Sequence, residues 1–91
     1  MKEKFSRVKK LPWSEVSKLL SGVGWELDKD RKDLKRYKRG LQLLVLNKVG
    51  KDKWKIEYFV GGKLVDSAGI TTGEYTKACV AEMAMLYALG P

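Results

Sequence analysis

The sequence predicts a small α+β domain: an N-terminal helix, an antiparallel meander of four to five strands, and a buried C-terminal helix packed on one face of the sheet. Apolar residues recur at helical spacing near both termini, and hydrophobic segments of strand length separated by glycine-containing turns fill the middle. The 91 residues are enough for one hydrophobic core and too few for two. We therefore expect a single domain over residues 11–91, preceded by a basic flexible arm over residues 1–10.

The segment 71–89 is predicted to be a helix with protein on more than one side. Thr71 and Glu74 have the spacing of a capping box, which defines the start of the helix. The helix has two apolar stripes, a bulky one of Tyr75, Cys79, Met83, Leu86 and Leu89 and a small one of Ala78, Ala81, Ala84 and Ala88. We expect the bulky stripe to meet the sheet, and the alanines to meet a second helix or the other subunit of a homodimer.

The other elements precede this helix along the chain. Pro12 suits the first turn of an amphipathic helix over 12–21, and strand alternation begins at Trp25. A short, strongly basic strand over 34–39 ends at Gly40.

Three further strands complete the predicted meander. They cover 41–49, 53–60 and 63–70, joined by a turn at 50–52 and by the hairpin signal Gly61-Gly62. The lengths and turns favour antiparallel pairing of neighbours along the chain.

The pairing of these strands decides which side chains face the helices. If Lys48 pairs with Lys53 and Val60 with Lys63, side-chain alternation defines a core face and an opposite face. The predicted core face consists of Leu41, Leu43, Val45, Trp54, Ile56, Tyr58, Val60 and Val65. The opposite face carries Leu44, Leu46, Phe59 and Leu64, an apolar group that is a candidate protein interface.

The sequence offers few groups for catalysis. It contains no histidine, no phosphate-binding glycine loop and no nucleophile elbow, so we expect no enzyme activity, no cofactor and no metal site. Cys79 is the single cysteine and is expected in the core, which fits a reducing, cytoplasmic setting. Uninterrupted apolar runs such as 43–46 are far shorter than a membrane span.

Cations are concentrated in the first half of the chain. Residues 1–40 hold 13 Lys and Arg against 6 Asp and Glu, whereas residues 41–91 hold 6 against 5. This asymmetry favours an acidic partner such as nucleic acid, although a solubilising surface has the same composition. The candidate nucleic-acid-binding residues are Lys9, Lys10, Lys32, Lys35, Arg36, Tyr37, Lys38 and Arg39. The cations are expected to hold phosphates while the Tyr37 ring stacks on a base; alternatively, the basic strand is an exposed edge protected against aggregation.

The chain resembles double-stranded-RNA-binding domains in two segments. Phe-Val-Gly-Gly-Lys at 59–63 is similar to their strand hairpin, and the alanine-rich segment 78–86 is similar to their last helix. The resemblance implies a related fold with phosphate contacts from the start of that helix, where Lys77 occupies a matching basic position.

The segment 16–39 is similar to the opening of HicA-type toxins, which are small ribonucleases with a related fold. The matching residues are Leu19-Leu20, Gly24-Trp25-Glu26-Leu27 and Arg36-Tyr37-Lys38. The catalytic glycine-serine-histidine turn of that family falls near 33–35, where this chain has neither the serine nor the histidine. This resemblance therefore implies architecture and not ribonuclease activity.

Two functions remain open from the sequence. The first is a small, non-catalytic nucleic-acid-binding module whose phosphate contacts come from the basic strand, with DNA and RNA equally compatible. The second is a small protein-binding inhibitor or adaptor, of the kind that phages and mobile elements encode. It would act on an acidic protein surface through the opposite face or an edge of the sheet.

Overall fold

The computed structural model describes residues 7–89 and confirms the predicted α+β class. A 3-10 segment, Val8–Lys10, precedes helix α1, Trp13–Ser21. Five strands follow, β1 (Glu26–Arg31), β2 (Leu34–Arg39), β3 (Gln42–Gly50), β4 (Lys53–Val60) and β5 (Lys63–Thr72), and then helix α2 (Tyr75–Ala88). The strands form one antiparallel sheet in the order β1-β2-β3-β4-β5.

Both helices pack on the same face of this sheet and on each other. The fully buried side chains of the helices are Val16 and Leu20 of α1 and Thr76, Val80, Ala81 and Ala84 of α2. The sheet contributes Tyr37, Leu44, Leu46, Trp54, Ile56 and Tyr58 to the same core. Trp25, just before β1, is also fully buried, and its indole Nε1 donates a 2.9 Å hydrogen bond to the Ala84 carbonyl. This bond ties the connection between α1 and β1 to the middle of α2.

The connection between β3 and β4 has one residue more on the β3 side than the predicted pairing of Lys48 with Lys53 allows. The register shifts between Lys48 and Gly50, so Val49 has no partner in the ladder. As a result Lys48 pairs with Trp54 and not with Lys53. A single extra residue of this kind is a β-bulge.

The bulge exchanges the two faces of β3, so the predicted core face of this strand is wrong. Side chains alternate along a strand, and a shift of one residue turns each of them to the other side. Leu44 and Leu46 are fully buried in the core, while Leu43 and Val45 are half-buried on the opposite face. The core face of β4, with Trp54, Ile56 and Tyr58, is as predicted. Leu41 and Val65, also predicted for the core, are exposed in a turn and at a bulge of β5.

Helix α2 buries Ala81 and Ala84 of the predicted small stripe but only Met83 of the bulky stripe, which corrects the predicted orientation. Its buried residues are Thr76, Val80, Ala81, Met83 and Ala84. Tyr75, Leu86 and Leu89 of the predicted bulky stripe are exposed. Small side chains let the helix approach the sheet closely and leave room for the Trp25 indole. Because the chain itself covers Ala81 and Ala84, the alanine stripe does not offer the dimer contact that the sequence suggested.

The predicted capping box does not form. Helix α2 begins after Glu74, whose side chain makes no capping hydrogen bond, and Thr71 lies within β5. The Thr71 hydroxyl instead lies 2.7 Å from the Thr76 hydroxyl and donates to the Trp54 carbonyl at 3.3 Å. Thr71 therefore joins the end of β5 to β4 and to the first turn of α2.

Contacts with the hydrophobic core begin before Leu11. Val8 is buried in the core, and the 3-10 segment packs on α2. Residues 7–10, part of the predicted arm, are thus in contact with the body of the protein through Val8, and residues 1–6 lie outside the described residues. No helix within residues 7–89 is long and apolar enough to cross a membrane.

Candidate functional site

One end of the molecule contains the starts of both helices and two turns of the sheet. The strand pairing places the β1–β2 turn, the β3–β4 turn and the end of β5 on the same side. Helix α2 begins directly after β5. Lys77, in its first turn, donates a 2.7 Å hydrogen bond from Nζ to the carbonyl of Leu11, which directly precedes α1. This bond places the two helix starts side by side.

Backbone hydrogen bonds join the turns at this end. The Lys48 amide donates to the Asp33 carbonyl at 2.8 Å, which connects the β1–β2 turn to the end of β3. The Gly73 amide donates to the Asp52 carbonyl at 3.0 Å, which connects the β3–β4 turn to the start of α2. Segments that are distant in sequence are thus fixed relative to one another.

We name this region the basic end and define it as residues 7–13, 30–35, 48–53 and 73–77. These segments hold ten Lys and Arg against four Asp and Glu, whereas the rest of residues 7–89 hold seven against six. Nearly all of the excess positive charge in the described chain therefore lies at one end. The N-termini of α1 and α2 add the positive ends of two helix dipoles there.

Most cations of the basic end face solvent. Lys10, Lys32, Lys48, Lys51 and Lys53 are exposed and form no ion pair with any residue between 7 and 89. Cations that the protein's own acids do not neutralise retain their attraction for an external anion.

Two further cations are held against the Trp13 ring. The Nζ atoms of Lys35 and Lys77 lie 5.1 Å and 5.9 Å from its centroid. Lys35 Nζ also lies 2.6 Å from Asp30 Oδ1, and its side chain is only 13% exposed. Lys35 and Lys77 therefore stabilise the structure of the basic end, and their charges are less available to a ligand than those of the exposed lysines.

The structure divides the predicted cations into two groups. Lys9, Lys10, Lys32, Lys35 and Lys77 lie at the basic end, whereas Arg36, Lys38 and Arg39 lie elsewhere. The basic strand β2 does not form one charged surface, because its side chains alternate between the two faces of the sheet.

The two arginines of β2 are engaged by their own chain. Arg36 Nη2 lies 2.5 Å from Asp28 Oδ2, and its hydrogen bond lowers the pKa of that carboxyl. Arg39 donates from Nε to the Val23 carbonyl at 3.1 Å and from Nη1 to Gln42 Oε1 at 2.8 Å. Neither guanidinium presents its full set of donors to a phosphate.

The Tyr37 ring cannot stack on a base in this fold. The residue is fully buried, and its hydroxyl lies 2.8 Å from the Ser17 hydroxyl. Burial raises the pKa of Tyr37. The aromatic ring that is exposed at the basic end is that of Tyr75, with Lys9 Nζ 4.3 Å from its centroid.

Sequence reasoning missed the lysines of the β3–β4 turn. Lys48, Lys51 and Lys53 lie in residues 41–91, where positive and negative charges nearly balance. Counting net charge over the two halves of the chain therefore did not reveal them. The available signal was local, since three lysines occur within six residues around one turn.

The face of the sheet opposite the helices, which we name the outer face, is covered by neither described helix. Its centre carries Leu43, Val45, Phe59 and Leu64. Phe59 and Leu64 were predicted for this surface and pair with each other there, Phe59 half-buried and Leu64 exposed. The other two predicted interface residues, Leu44 and Leu46, are in the core.

Within residues 7–89 no group of three or more His, Cys, Asp and Glu side chains is arranged to hold a metal ion. Cys79 is half-buried, and burial, followed by the nearby Glu82 carboxylate, raises the pKa of its thiol. The thiol is therefore a weak nucleophile at neutral pH.

Comparison of the chain with protein-family models, with curated proteins and with solved structures gave no match. The resemblances to double-stranded-RNA-binding domains and to HicA-type toxins stay predictions from the sequence. The candidate site consequently rests on its own geometry and charge.

Proposed function

We propose that this protein binds nucleic acid, without catalysis, through the basic end. The observation that supports the proposal is the gathering of ten cations and two helix N-termini at one end of a body whose remaining charges nearly cancel. A polyanion gains the most from such a surface, because every neutralised phosphate releases condensed counterions.

The distribution of charge argues against solubility as the sole role of the lysines. Solubilising charges work best when both signs are interspersed over the whole surface. Here the excess is confined to four segments held together by the hydrogen bonds of Lys48, Gly73 and Lys77. A concentrated field of one sign steers an oppositely charged partner.

The proposed contacts are with phosphates. Exposed lysines on turns reach the backbone of DNA or RNA and read no base sequence. Binding is therefore expected to be strongly dependent on salt and weakly dependent on sequence.

A pair of charge-matched double variants tests the proposal. Lys51→Gln/Lys53→Gln removes two charges from the basic end, and Lys18→Gln/Lys63→Gln removes two exposed charges from outside it. Affinity for labelled single-stranded and double-stranded DNA and RNA is measured by fluorescence anisotropy over a range of salt concentrations.

We expect only the first variant to weaken binding and to reduce the salt slope, by about 1.8 on double-stranded DNA. Equal effects of the two variants would show that total charge, and not the basic end, governs binding. No binding by the wild-type protein at low salt would refute the proposal.

The alternative function, a protein-binding inhibitor or adaptor, is favoured by a different observation. Phe59 and Leu64 form an apolar pair on the outer face, away from the described helices. A wild-type chain that binds no nucleic acid, and a Phe59→Ser variant that loses a protein partner, would support this alternative.

A further inference from the structure

An open cavity of about 370 Å³ lies at the basic end, between the 3-10 segment and the start of α2. Its lining residues are Arg7, Lys9, Lys10 and Glu74, three cations and one carboxylate, so their net charge is +2. None of the four forms an ion pair with a residue between 7 and 89. The cavity has the volume of a small-molecule site and a positive charge that the described chain does not neutralise.

The cations of this cavity project from a segment that is attached to the core. Val8 is buried among the core residues, and the 3-10 segment packs on α2. Because Val8 lies between Arg7 and Lys9 in the chain, its burial fixes the backbone from which both side chains project. Binding of an anion here costs less conformational entropy than binding by a free arm.

The exposed ring of Tyr75 lies beside the cavity. Tyr75 follows Glu74 in the chain, and Lys9 Nζ lies over the Tyr75 ring, 4.3 Å from its centroid. This cation–π contact restrains the orientation of the ring. Tyr75 nevertheless remains 60% exposed, so Lys9 covers only part of it. The rest of the side chain is open to a planar ligand.

Given the nucleic-acid binding proposed above, on which this step rests, we propose that the cavity and the Tyr75 ring together bind one nucleotide of a single strand. Its phosphate lies at Arg7, Lys9 and Lys10, and its base stacks on Tyr75. Proteins that bind single strands combine a positively charged groove with aromatic rings, because every base has a face on which a ring can stack. The basic end is thereby assigned to single-stranded DNA or RNA.

A duplex cannot make the contact with Tyr75. Within a double strand the neighbouring bases cover both faces of each base, whereas an unpaired base is free to stack on an aromatic side chain. A duplex therefore binds through phosphate contacts alone, and these weaken as salt is added. Stacking does not depend on counterion release, so the preference for a single strand over a duplex should increase with salt concentration.

Replacement of Tyr75 tests the stacking contact. Tyr75→Leu removes the aromatic face but keeps an apolar side chain, and Tyr75→Phe keeps the aromatic face. We expect Tyr75→Leu to raise the dissociation constant for labelled oligothymidylate and oligouridylate about tenfold, and Tyr75→Phe to leave it unchanged. Fluorescence anisotropy also measures a DNA duplex and an abasic single strand of the same length, on which both variants should match the wild type. Circular dichroism verifies that each variant is folded.

The phosphate contact is tested separately on the abasic strand, which has phosphates and no bases. Arg7→Gln/Lys10→Gln should weaken binding to this strand, and the charge-matched Lys18→Gln/Lys63→Gln should not. Equal losses in these two double variants would overturn the cavity as the phosphate site.

The stacking contact is overturned if Tyr75→Leu binds both oligonucleotides as tightly as the wild type, or if it loses as much affinity for the abasic strand. Either result with a wild-type protein that still binds duplex and single strands, and that Lys51→Gln/Lys53→Gln weakens, would leave the basic end intact as a binding surface. Absence of wild-type binding to every probe at low salt would refute the basic end as well. Failure of the nucleotide site is thereby distinguished from failure of the proposed function.

Discussion

The phenol oxygen of Tyr87 lies 2.5 Å from Asp66 Oδ2, and this hydrogen bond joins the edge strand β5 to the end of α2. The Tyr87 ring also stacks on Tyr58, with centroids 3.8 Å apart. Because β5 is exposed along most of its length, it gains little stability from burial of its own side chains. The Tyr87 contact anchors the strand to the core.

We expect Tyr87→Phe to lower the free energy of unfolding by about 1 kcal/mol. The ring keeps its stacking on Tyr58, and the lost hydrogen bond has a charged but solvent-screened acceptor. Chemical denaturation measures the loss, and amide hydrogen exchange should accelerate in β5. The control is Tyr75→Phe, which removes an exposed hydroxyl. An equal loss of stability in Tyr75→Phe would show that the Tyr87–Asp66 hydrogen bond is not the source of the effect.

Stability should fall at high pH through the same tyrosine. The hydrogen bond to Asp66 raises the pKa of Tyr87 to about 12, against about 10 for an unfolded tyrosine. The neutral phenol is favoured in the folded state, so its stabilisation is complete below pH 10 and is lost as the pH rises through 12. Thermal unfolding across this window should show a steeper loss for the wild type than for Tyr87→Phe. Parallel curves would contradict the prediction.

Ser17→Ala should destabilise the protein by about 1–3 kcal/mol, because it leaves the buried Tyr37 hydroxyl without its partner. Removing both hydroxyls in Ser17→Ala/Tyr37→Phe should recover part of the loss. Urea denaturation of the two variants measures this difference. A double variant less stable than the single one would show that the hydroxyl pair is not the source.

Arg39→Gln and Lys51→Gln remove the same charge at opposite ends of the molecule and should affect different properties. Arg39 donates to the Val23 carbonyl and to Gln42, so its loss should lower stability and leave the salt slope of nucleic-acid binding unchanged. Lys51 is exposed in a turn, so its loss should reduce that slope by about 0.9 on double-stranded DNA. Salt titrations and denaturation curves of both variants check the prediction. The reverse assignment would refute the basic end as the binding surface.

The elements of the fold were predictable because each depends on local pattern. Helix periodicity over 12–21 and the turn signals at 50–52 and at Gly61-Gly62 place α1 and the central strands within a few residues of their observed bounds. The face of β3 was not predictable in the same way. It depends on whether Val49 is paired or bulged, and a turn of either kind suits this sequence.

The basic end was only partly predictable because it depends on how the helices and strands are arranged in three dimensions. Lys9, Lys32 and Lys77 were identified as cations, but their proximity requires that two helices start where two turns lie. The buried state of Tyr37 was equally hidden, since its neighbours in sequence are all cations and its partner Ser17 lies on another element.

Helix α2 runs away from the basic end, and Leu89 lines a groove with Arg39 and Leu41 at the far side of the molecule. A linker attached after the helix therefore leaves the lysine turns unobstructed. When the protein is tethered to a biosensor chip by such a linker, the basic end lies on the side away from the attachment point and stays accessible to the injected polymer.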